Sequence, residues 1–173
     1  MVADIRLARE SDLPELVAIY NHEVLHSTAT FDTQTVTVDE WRHWLRAHEP
    51  TRHPILVAQE GARALGFASL SEWSKRCAYA RAAEVSIYIH RDARGRGLGR
   101  ALLGALIQRA RAIGLGVLLA RIVGTGGASN RLHESLGFTH IGSMRRVGQK
   151  FGKILDVELY DLQLDEDRSS DGQ

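Results

Sequence analysis

The chain has 173 residues, of which 44% are hydrophobic and 25% charged, and its formal net charge at pH 7 is +1. This size and composition are typical of one globular domain with a substantial core, and the small net charge argues against binding to nucleic acid or to a membrane surface. The single cysteine, Cys77, excludes an internal disulfide, and neither a signal-like apolar start nor a run of about 18 apolar residues is found, so we expect a cytoplasmic protein without a membrane span.

The first fifty residues predict one strand and two helices. Their order is a strand around Ile5 and Leu7, a helix that begins at Ser11 or Asp12 and reaches at least Tyr20, a polar loop at 26–37, and a helix from Asp39 to about His48. Trp41 and Trp44 lie on one face of the second helix.

The rest of the chain predicts six strands and two helices. In chain order they are strands Pro54–Gln59 and Leu65–Leu70, a basic and aromatic linker at 71–81, a strand Ala83–His90, a helix Gly97–Ile113, a strand Val117–Val123, a short helix Ser129–Leu136, and strands Phe138–Arg146 and Leu155–Leu164. We expect one domain over residues 1–164 and a disordered tail at 165–173, where the sequence is polar and acidic.

A glycine-rich segment, Arg94-Gly95-Arg96-Gly97-Leu98-Gly99-Arg100, joins a predicted strand to a predicted helix. Such a junction binds phosphate, because glycine lets the backbone approach an anion and the unpaired N–H groups at a helix start carry partial positive charge. The spacing does not fit a P-loop, which needs G-x-x-x-x-G-K-[ST]. It also does not fit the dinucleotide pattern G-x-G-x-x-G with an acidic residue about 20 positions later, since residue 119 is leucine. The alternative is a turn that only joins strand to helix.

The pattern R-x-x-G-x-G, from Arg94 through Gly97 and Gly99, resembles the pyrophosphate loop of the GNAT superfamily of acetyl-CoA-dependent N-acetyltransferases. The short helix that ends in Leu136-Gly137-Phe138 resembles a second signature of that superfamily. The resemblance covers residues 3–164 and implies an α/β (α+β) fold, with a mixed central sheet of about seven strands and helices on both faces. It also implies acetyl-CoA as acetyl donor, no metal, and these cofactor-binding residues: Ile87, Tyr88, Ile89, Arg94, Gly95, Arg96, Gly97, Leu98, Gly99, Arg100, Ser129 and Asn130.

Three further segments resemble the phosphinothricin and methionine sulfone or sulfoximine N-acetyltransferases: Ile19–Asn21, Ser27–Phe31 and Val147–Lys153. This closer resemblance implies a small amino-acid analogue as acceptor, acetylated on its α-amine, and a homodimer, which exposed apolar residues near Trp41 and Trp44 would allow. The implied substrate-binding residues are Phe31, Thr33, Lys75, Arg76, Val147 and Lys150, with Arg76 on the substrate carboxylate and Lys75 as its substitute. The alternatives are a solvated loop at 75–76 and simple core packing of Phe31.

Glu84 is the candidate general base, because an acceptor amine is mostly protonated at pH 7 and must lose a proton before it attacks. In the resembling enzymes the proposed base is a glutamate just before the strand segment that matches Ile87–Ile89, whose backbone N–H groups would bond to the acetyl oxygen. From spacing alone, the alternative is a strand-end carboxylate in solvent. His133 matches a position where many family members carry a tyrosine that protonates the leaving thiolate; the alternative is a helix-surface histidine.

Residue 126 departs from the family pattern. The asparagine usual there bonds to the pantetheine arm of CoA, whereas this chain has Gly126, so that Asn130 or Ser129 substitutes or the backbone alone holds the cofactor. Two other functions stay open. One is a protein Nα-acetyltransferase, which the lid-like segments 26–37 and 147–153 disfavour; the other is an acetyl-CoA-binding module with little catalysis, which Gly126 and the missing tyrosine favour and Glu84 disfavours.

Overall fold

The structure, a computed structural model, describes residues 3–165, and in that range one seven-stranded sheet is flanked by four helices. The elements are β1 (Asp4–Leu7), α1 (Leu13–His26), α2 (Val38–Ala47), β2 (Ile55–Glu60), β3 (Arg63–Glu72), β4 (Ala82–Ile89), α3 (Leu98–Ala112), β5 (Val117–Val123), α4 (Ala128–Glu134), β6 (Thr139–Lys150) and β7 (Lys153–Gln163). The strands lie in the order β1-β2-β3-β4-β5-β7-β6, and only the β4–β5 pair among the described strands is parallel. The predicted mixed sheet and order of elements are confirmed.

The helices cover both faces of the sheet. On one face, Leu16 of α1 and Trp41 of α2 join a buried cluster with Phe67 of β3. On the other face, α3 contributes apolar side chains at helical spacing, among them Leu102 and Leu106, to a larger cluster. Apolar residues therefore point both ways along the central strands, as expected for a sheet covered on both sides.

The exposed apolar surface near Trp41 and Trp44 expected from the sequence is not present. Trp41 is only 7% exposed, and its ring lies 5.0 Å from the Tyr20 ring and 4.6 Å from the Trp44 ring, measured between centroids. The expectation was wrong because the apolar face of α2 packs on the sheet and on α1. Large exposed apolar side chains lie instead on the β6–β7 hairpin, at Ile141, Val147, Phe151 and Ile154.

The sheet splits between β4 and β5. The two strands pair only from Ala82, opposite Val117, to Glu84, opposite Leu119. Beyond Glu84, β4 stays paired with β3, and β5 stays paired with β7 as far as Val123. Because the N–H and C=O groups of successive residues in a strand point to opposite sides, every second residue of β4 after Glu84 turns both groups to the gap.

The β6–β7 hairpin corrects the predicted loop at 147–153. β6 continues to Lys150 and β7 begins at Lys153, so only Phe151 and Gly152 form the turn, both with positive φ of 50° and 71°. The irregular backbone lies earlier in the chain, in a bulge inside β6, where the register of pairing with β7 shifts between Met144 and Gly148. The sequence hid this arrangement because the polar residues of the segment break the period of two.

The tail predicted at 165–173 lies outside the described residues, except for its first residue, Asp165. No helix within residues 3–165 is both long enough and apolar enough to cross a membrane.

Candidate active site

A cleft of about 370 Å³ opens where β4 and β5 separate. Its walls come from the segment after α1, from β4, from β5 with α4, and from β6 with β7: Ala29, Thr30, Phe31, Asp32, Glu84, Val85, Ser86, Ile87, Tyr88, Ala120, Arg121, Ile122, Val123, Ser129, His133, Met144, Val147 and Val157. The split in the sheet thus brings predicted catalytic, cofactor-binding and substrate-binding residues to one cavity.

The glycine-rich segment follows β4 and begins α3. Gly95 and Gly97 have φ of +75° and +78°, a conformation that favours glycine, and a Cβ at either position would have nothing within 4 Å. Gly99 has a different role, because its Cβ would lie 3.1 Å from Leu132 Cδ2 of α4. Glycine here therefore permits both the turn into α3 and the close packing of α3 on α4.

Six consecutive amides at this turn are open. Within the described residues, the N–H groups of residues 95–100 have no hydrogen-bond acceptor, and the first bond of α3 runs from the Ala101 N–H to the Gly97 carbonyl at 3.1 Å. These amides point from a helix start that carries partial positive charge. The observation fits the phosphate-binding role predicted from the sequence.

The three arginines of the segment are held by the protein. Arg94 forms an ion pair with Glu23, whose side chain is only 6% exposed. Arg96 pairs with Glu60 at 2.7 Å, and Arg100 donates to the Ser135 side chain at 2.9 Å. These contacts hold the three side chains against the protein, beside the open backbone amides of residues 95–100.

Glu84 lies at the last paired position of β4, at the mouth of the split. Its side chain is 17% exposed, and both carboxylate oxygens accept from Arg121 of β5, each at 2.6 Å. The Arg121 guanidinium lies over the Trp73 ring, 5.7 Å from its centroid. The hydrogen bonds to Glu84 raise the pKa of Arg121, so the guanidinium stays charged. A carboxylate in this position can accept a proton from a group in the cleft.

His133 is buried in α4 and lines the cleft. Its Nδ1 lies 2.8 Å from the Ser129 carbonyl oxygen, which can only accept, so Nδ1 carries the proton. Burial lowers the pKa of His133 below its usual range, and the ring is neutral at pH 7. Nε2 is then a hydrogen-bond acceptor. Donation to a thiolate, the role predicted from the sequence, would need a second proton on a ring whose burial opposes it.

Asn130 is 2% exposed and is bonded within the protein. Its carbonyl accepts from the Gly127 N–H at 2.9 Å, and its amide nitrogen donates to the Gly124 carbonyl and to the Tyr160 hydroxyl, both at 3.1 Å. The residue thus shapes the loop at 124–127, in which Gly126 has φ of +67°. Ser129 lines the cleft, so it is the one of the two predicted substitutes for the usual asparagine that faces a ligand site.

Phe31 lines the cleft from the segment after α1. Its ring rests on Gly148 of β6, where a Cβ would lie 2.2 Å from Phe31 Cε2. The bulge in β6 places Val147 at the cleft, 53% exposed. Phe31 and Val147, two predicted substrate residues, are therefore brought together on one side of the cavity.

Polar groups on this wall come from a network that the sequence did not reveal. The Tyr20 hydroxyl donates to Asp32 at 2.6 Å and lies 2.9 Å from the Thr30 hydroxyl. Burial, followed by the bond to Asp32, raises the pKa of Tyr20 to about 12, so it stays protonated. Thr30 and Asp32 both line the cleft.

The other four predicted substrate residues lie elsewhere. Lys150 is buried, and its ammonium donates to the Thr30 carbonyl at 2.7 Å, which ties the hairpin to the segment after α1. Thr33, Lys75 and Arg76 are exposed and do not line the cleft.

Arg121 is a cleft residue whose role the sequence alone did not indicate. The available signal was a lone charge within the otherwise apolar strand Val117–Val123. Leu119 is the register partner of Glu84, and Arg121 lies two residues further along β5. The side chains of Leu119 and Arg121 therefore lie on the same face of β5. Only the parallel register of β4 and β5 shows that the guanidinium meets Glu84.

Comparison with known proteins gives one family match and close relatives. Residues 5–159 match the family described as acetyltransferase (GNAT) domain. The L-amino acid N-acyltransferase MnaT of Escherichia coli (strain K12) is 41% identical over 94% of this chain and 94% of its own. The L-methionine sulfoximine/L-methionine sulfone acetyltransferase of Salmonella typhimurium is 41% identical over 96% of this chain and 98% of its own.

A solved structure shows the same fold. The GNAT superfamily phosphinothricin acetyltransferase from Sinorhizobium meliloti, in complex with AcCoA, is 32% identical and superposes with a TM-score of 0.93. The match covers 100% of this chain and 94% of the other.

Proposed function

Because this chain belongs to the GNAT family of acetyl-CoA-dependent N-acetyltransferases, we propose that it acetylates the α-amine of a small amino-acid analogue such as phosphinothricin, methionine sulfoximine or methionine sulfone. The observation that carries the proposal is the single cleft between β4 and β5, with Glu84 at its mouth. Its volume of about 370 Å³ suits a small acceptor rather than a peptide.

The residues present fit acetyl-CoA. The open amides of residues 95–100 would hold its pyrophosphate, and no side chain blocks the approach at Gly95 and Gly97. The unpaired edge of β4 at Ile87–Ile89 would receive the acetyl end, and Ser129 lies across the gap. When bound, acetyl-CoA supplies the thioester carbonyl that the amine attacks.

Glu84 is the proposed general base. It takes a proton from the acceptor ammonium, directly or through a water, and leaves a neutral amine whose lone pair attacks the acetyl carbon. The proposal is supported by the position of Glu84 at the mouth of the split and by the two hydrogen bonds from Arg121 that orient its carboxylate. The Nε2 atom of His133 is suited to orient a polar hydrogen in the cleft.

A thiol-release assay with acetyl-CoA tests the function. We expect release with phosphinothricin, methionine sulfoximine and methionine sulfone, and none with polyamines or N-terminal peptides. Release with peptides instead would indicate a protein Nα-acetyltransferase. Measured acetyl-CoA binding without release with any amine would indicate a binding module.

The Glu84→Gln variant tests the base. We expect kcat to fall about 100-fold or more while the KM for acetyl-CoA stays within twofold of wild type. The deficit should shrink as pH rises, because more of the acceptor then arrives with a neutral amine. Glu72→Gln, at an exposed carboxylate of β3, is the matched control. Unchanged turnover of Glu84→Gln at pH 7 would remove Glu84 as the base.

We also propose a homodimer formed through the β6–β7 hairpin, and a cytoplasmic location, which the exposed free thiol of Cys77 suits. β6 is an edge strand, and the hairpin exposes Phe151 (56%) and Ile154 (47%). Light scattering after size exclusion should give twice the chain mass for wild type and for the control Leu25→Lys, but a monomer for Ile154→Lys. A monomeric wild type would refute the dimer.

A further inference from the structure

We propose that Arg121 binds the carboxylate of the acceptor, and that the acceptor enters by exchanging partners with the Arg121–Glu84 ion pair. The inference rests on the proposed function, since it assumes an acceptor with an α-amine beside a carboxylate. It assigns to Arg121 the role that the sequence predicted for Arg76 or Lys75.

Arg121 is the only lysine or arginine among the described residues that line the cleft. Lys75 and Arg76 are exposed and lie outside the lining. Lys150 is buried and points its ammonium at backbone carbonyls of the segment after α1. A carboxylate that enters the cleft beside Glu84 therefore meets one permanent cation.

The guanidinium is held from two sides. Trp73 stacks beneath it at 5.7 Å, and Glu84 binds its Nε and one Nη nitrogen. Arg121 is 51% exposed, whereas Glu84 is 17% exposed, so the open side of the pair is the arginine side. Because the Trp73 contact does not depend on Glu84, it can keep the guanidinium in place when the carboxylate partner changes.

An α-amino acid has the charges needed for this exchange. Its carboxylate can take the bidentate place on Arg121, and its ammonium can bond to the Glu84 carboxylate, so two ion pairs replace one and no charge is left alone. A simple amine brings only a positive charge. It must take Glu84 from Arg121 and leave a guanidinium unpaired in the cleft, which costs binding energy.

The exchange also couples recognition to catalysis. In the structure both oxygens of Glu84 are occupied by Arg121. A carboxylate on Arg121 frees Glu84 to face the ammonium, which then passes its proton to Glu84 and becomes the neutral nucleophile. Arg121 is thus a residue that selects the acceptor and positions the base.

The test compares two acceptors on two variants. One acceptor is methionine sulfone, and the other is the same amine without its carboxyl group. For wild type we expect kcat/KM to favour methionine sulfone by about 100-fold, the order of one charge-assisted bidentate contact. Arg121→Gln should reduce this ratio to within about threefold of unity, with an unchanged KM for acetyl-CoA. Arg109→Gln, at an exposed arginine of α3, should keep the wild-type ratio.

Three outcomes would overturn the inference. One is an Arg121→Gln variant that loses activity equally with both acceptors, which would mean that Arg121 only positions Glu84. Another is a loss specific to the carboxylate in Arg76→Ala but not in Arg121→Gln. The third is a wild type that prefers the amine without a carboxylate, which would refute the assigned acceptor and Arg121 while leaving the acetyltransferase intact.

Discussion

Glu23 is a buried carboxylate through which three segments meet. Its side chain pairs with Arg94 of the glycine-rich segment and accepts from the Ser27 hydroxyl at 2.7 Å. Its backbone carbonyl accepts from the Ser27 N–H at 3.0 Å and from the Lys150 ammonium at 3.4 Å. The glycine-rich segment, the segment after α1 and the β6–β7 hairpin are therefore joined at one residue.

Removing one or the other partner of the Arg94–Glu23 pair should lower the free energy of unfolding by different amounts. Arg94→Ala leaves a buried charge without its partner, and we expect the free energy of unfolding to fall by about 2–3 kcal/mol. Glu23→Gln leaves a half-exposed arginine that water can solvate, and we expect a loss of about 1 kcal/mol. Urea unfolding at pH 7 measures both. The opposite order would show that the pair is not anchored by the burial of Glu23.

Gly97, the N-cap residue of α3, and Gly104, inside α3, should respond to alanine with opposite changes in the free energy of unfolding. Gly97 has φ of +78° with open space around its Cβ position, so alanine suffers only backbone strain, about 1–2 kcal/mol. Gly104 lies within the helix with nothing within 4 Å, and alanine there should stabilise by about 0.5–1 kcal/mol. Equilibrium unfolding of the two variants and of wild type measures both changes in the free energy of unfolding. A gain in stability for Gly97→Ala would mean that the turn relaxes without a left-handed residue.

The contact between β6 and the segment after α1 should control acceptor binding. In Gly148→Ala the new Cβ would lie 2.2 Å from Phe31 Cε2, so the ring must leave its place on the cleft wall. We expect a KM for the acceptor raised about 10-fold, from lost packing of roughly one aromatic contact, with little change for acetyl-CoA. In the Phe31→Ala background the same change should have almost no further effect. Additive losses in the double variant would contradict this coupling.

At the scale of elements, the sequence predicts where the helices and strands lie along the chain, but it does not predict which strands pair or in what register. The helical spacing of Leu102 and Leu106, and the glycines before and after α3, gave the helix within a residue or two. The register of β4 on β5 is a tertiary property, and for that reason the meeting of Arg121 with Glu84 was missed. The family resemblance implies Lys150 as a substrate-binding residue, whereas the two-residue turn at 151–152 keeps it in β6, where its ammonium binds buried carbonyls.

For the whole molecule, the buried His133 and the partly buried His48 contribute to how stability depends on pH. Burial lowers the pKa of both His133 and His48 from 6.5, so the unfolded chain binds protons at these sites more readily than the folded one. Their contribution is complete above about pH 7.5 and is lost as pH falls through the unfolded value, about 6.5, towards the folded values. Hydrogen bonds from Ser143 and His140 lower the pKa of Glu158 below 4.5. The stabilisation from this carboxylate is complete at neutral pH and is lost only in more acid solution, as pH falls through 4.5 towards the folded value.

We therefore expect a lower free energy of unfolding at pH 5.5 than at pH 7.5, by roughly 1 kcal/mol. His133→Gln should be less stable than wild type at pH 7.5, yet lose less on acidification. Urea unfolding at the two pH values gives both differences. An equal pH dependence in wild type and variant would show that His133 is protonated without cost in the folded protein.

The split sheet has a consequence for how such a protein diverges. The donor side is constrained by left-handed glycines, open amides and the buried Glu23, each of which tolerates few substitutions. The acceptor side is built from side chains at Phe31, Val147 and Arg121, which can vary without breaking a backbone ladder. A few substitutions on the acceptor side can therefore change which amine is accepted, while the acetyl donor stays the same. In a duplicated gene, a new acceptor specificity can then evolve through variants that all still fold.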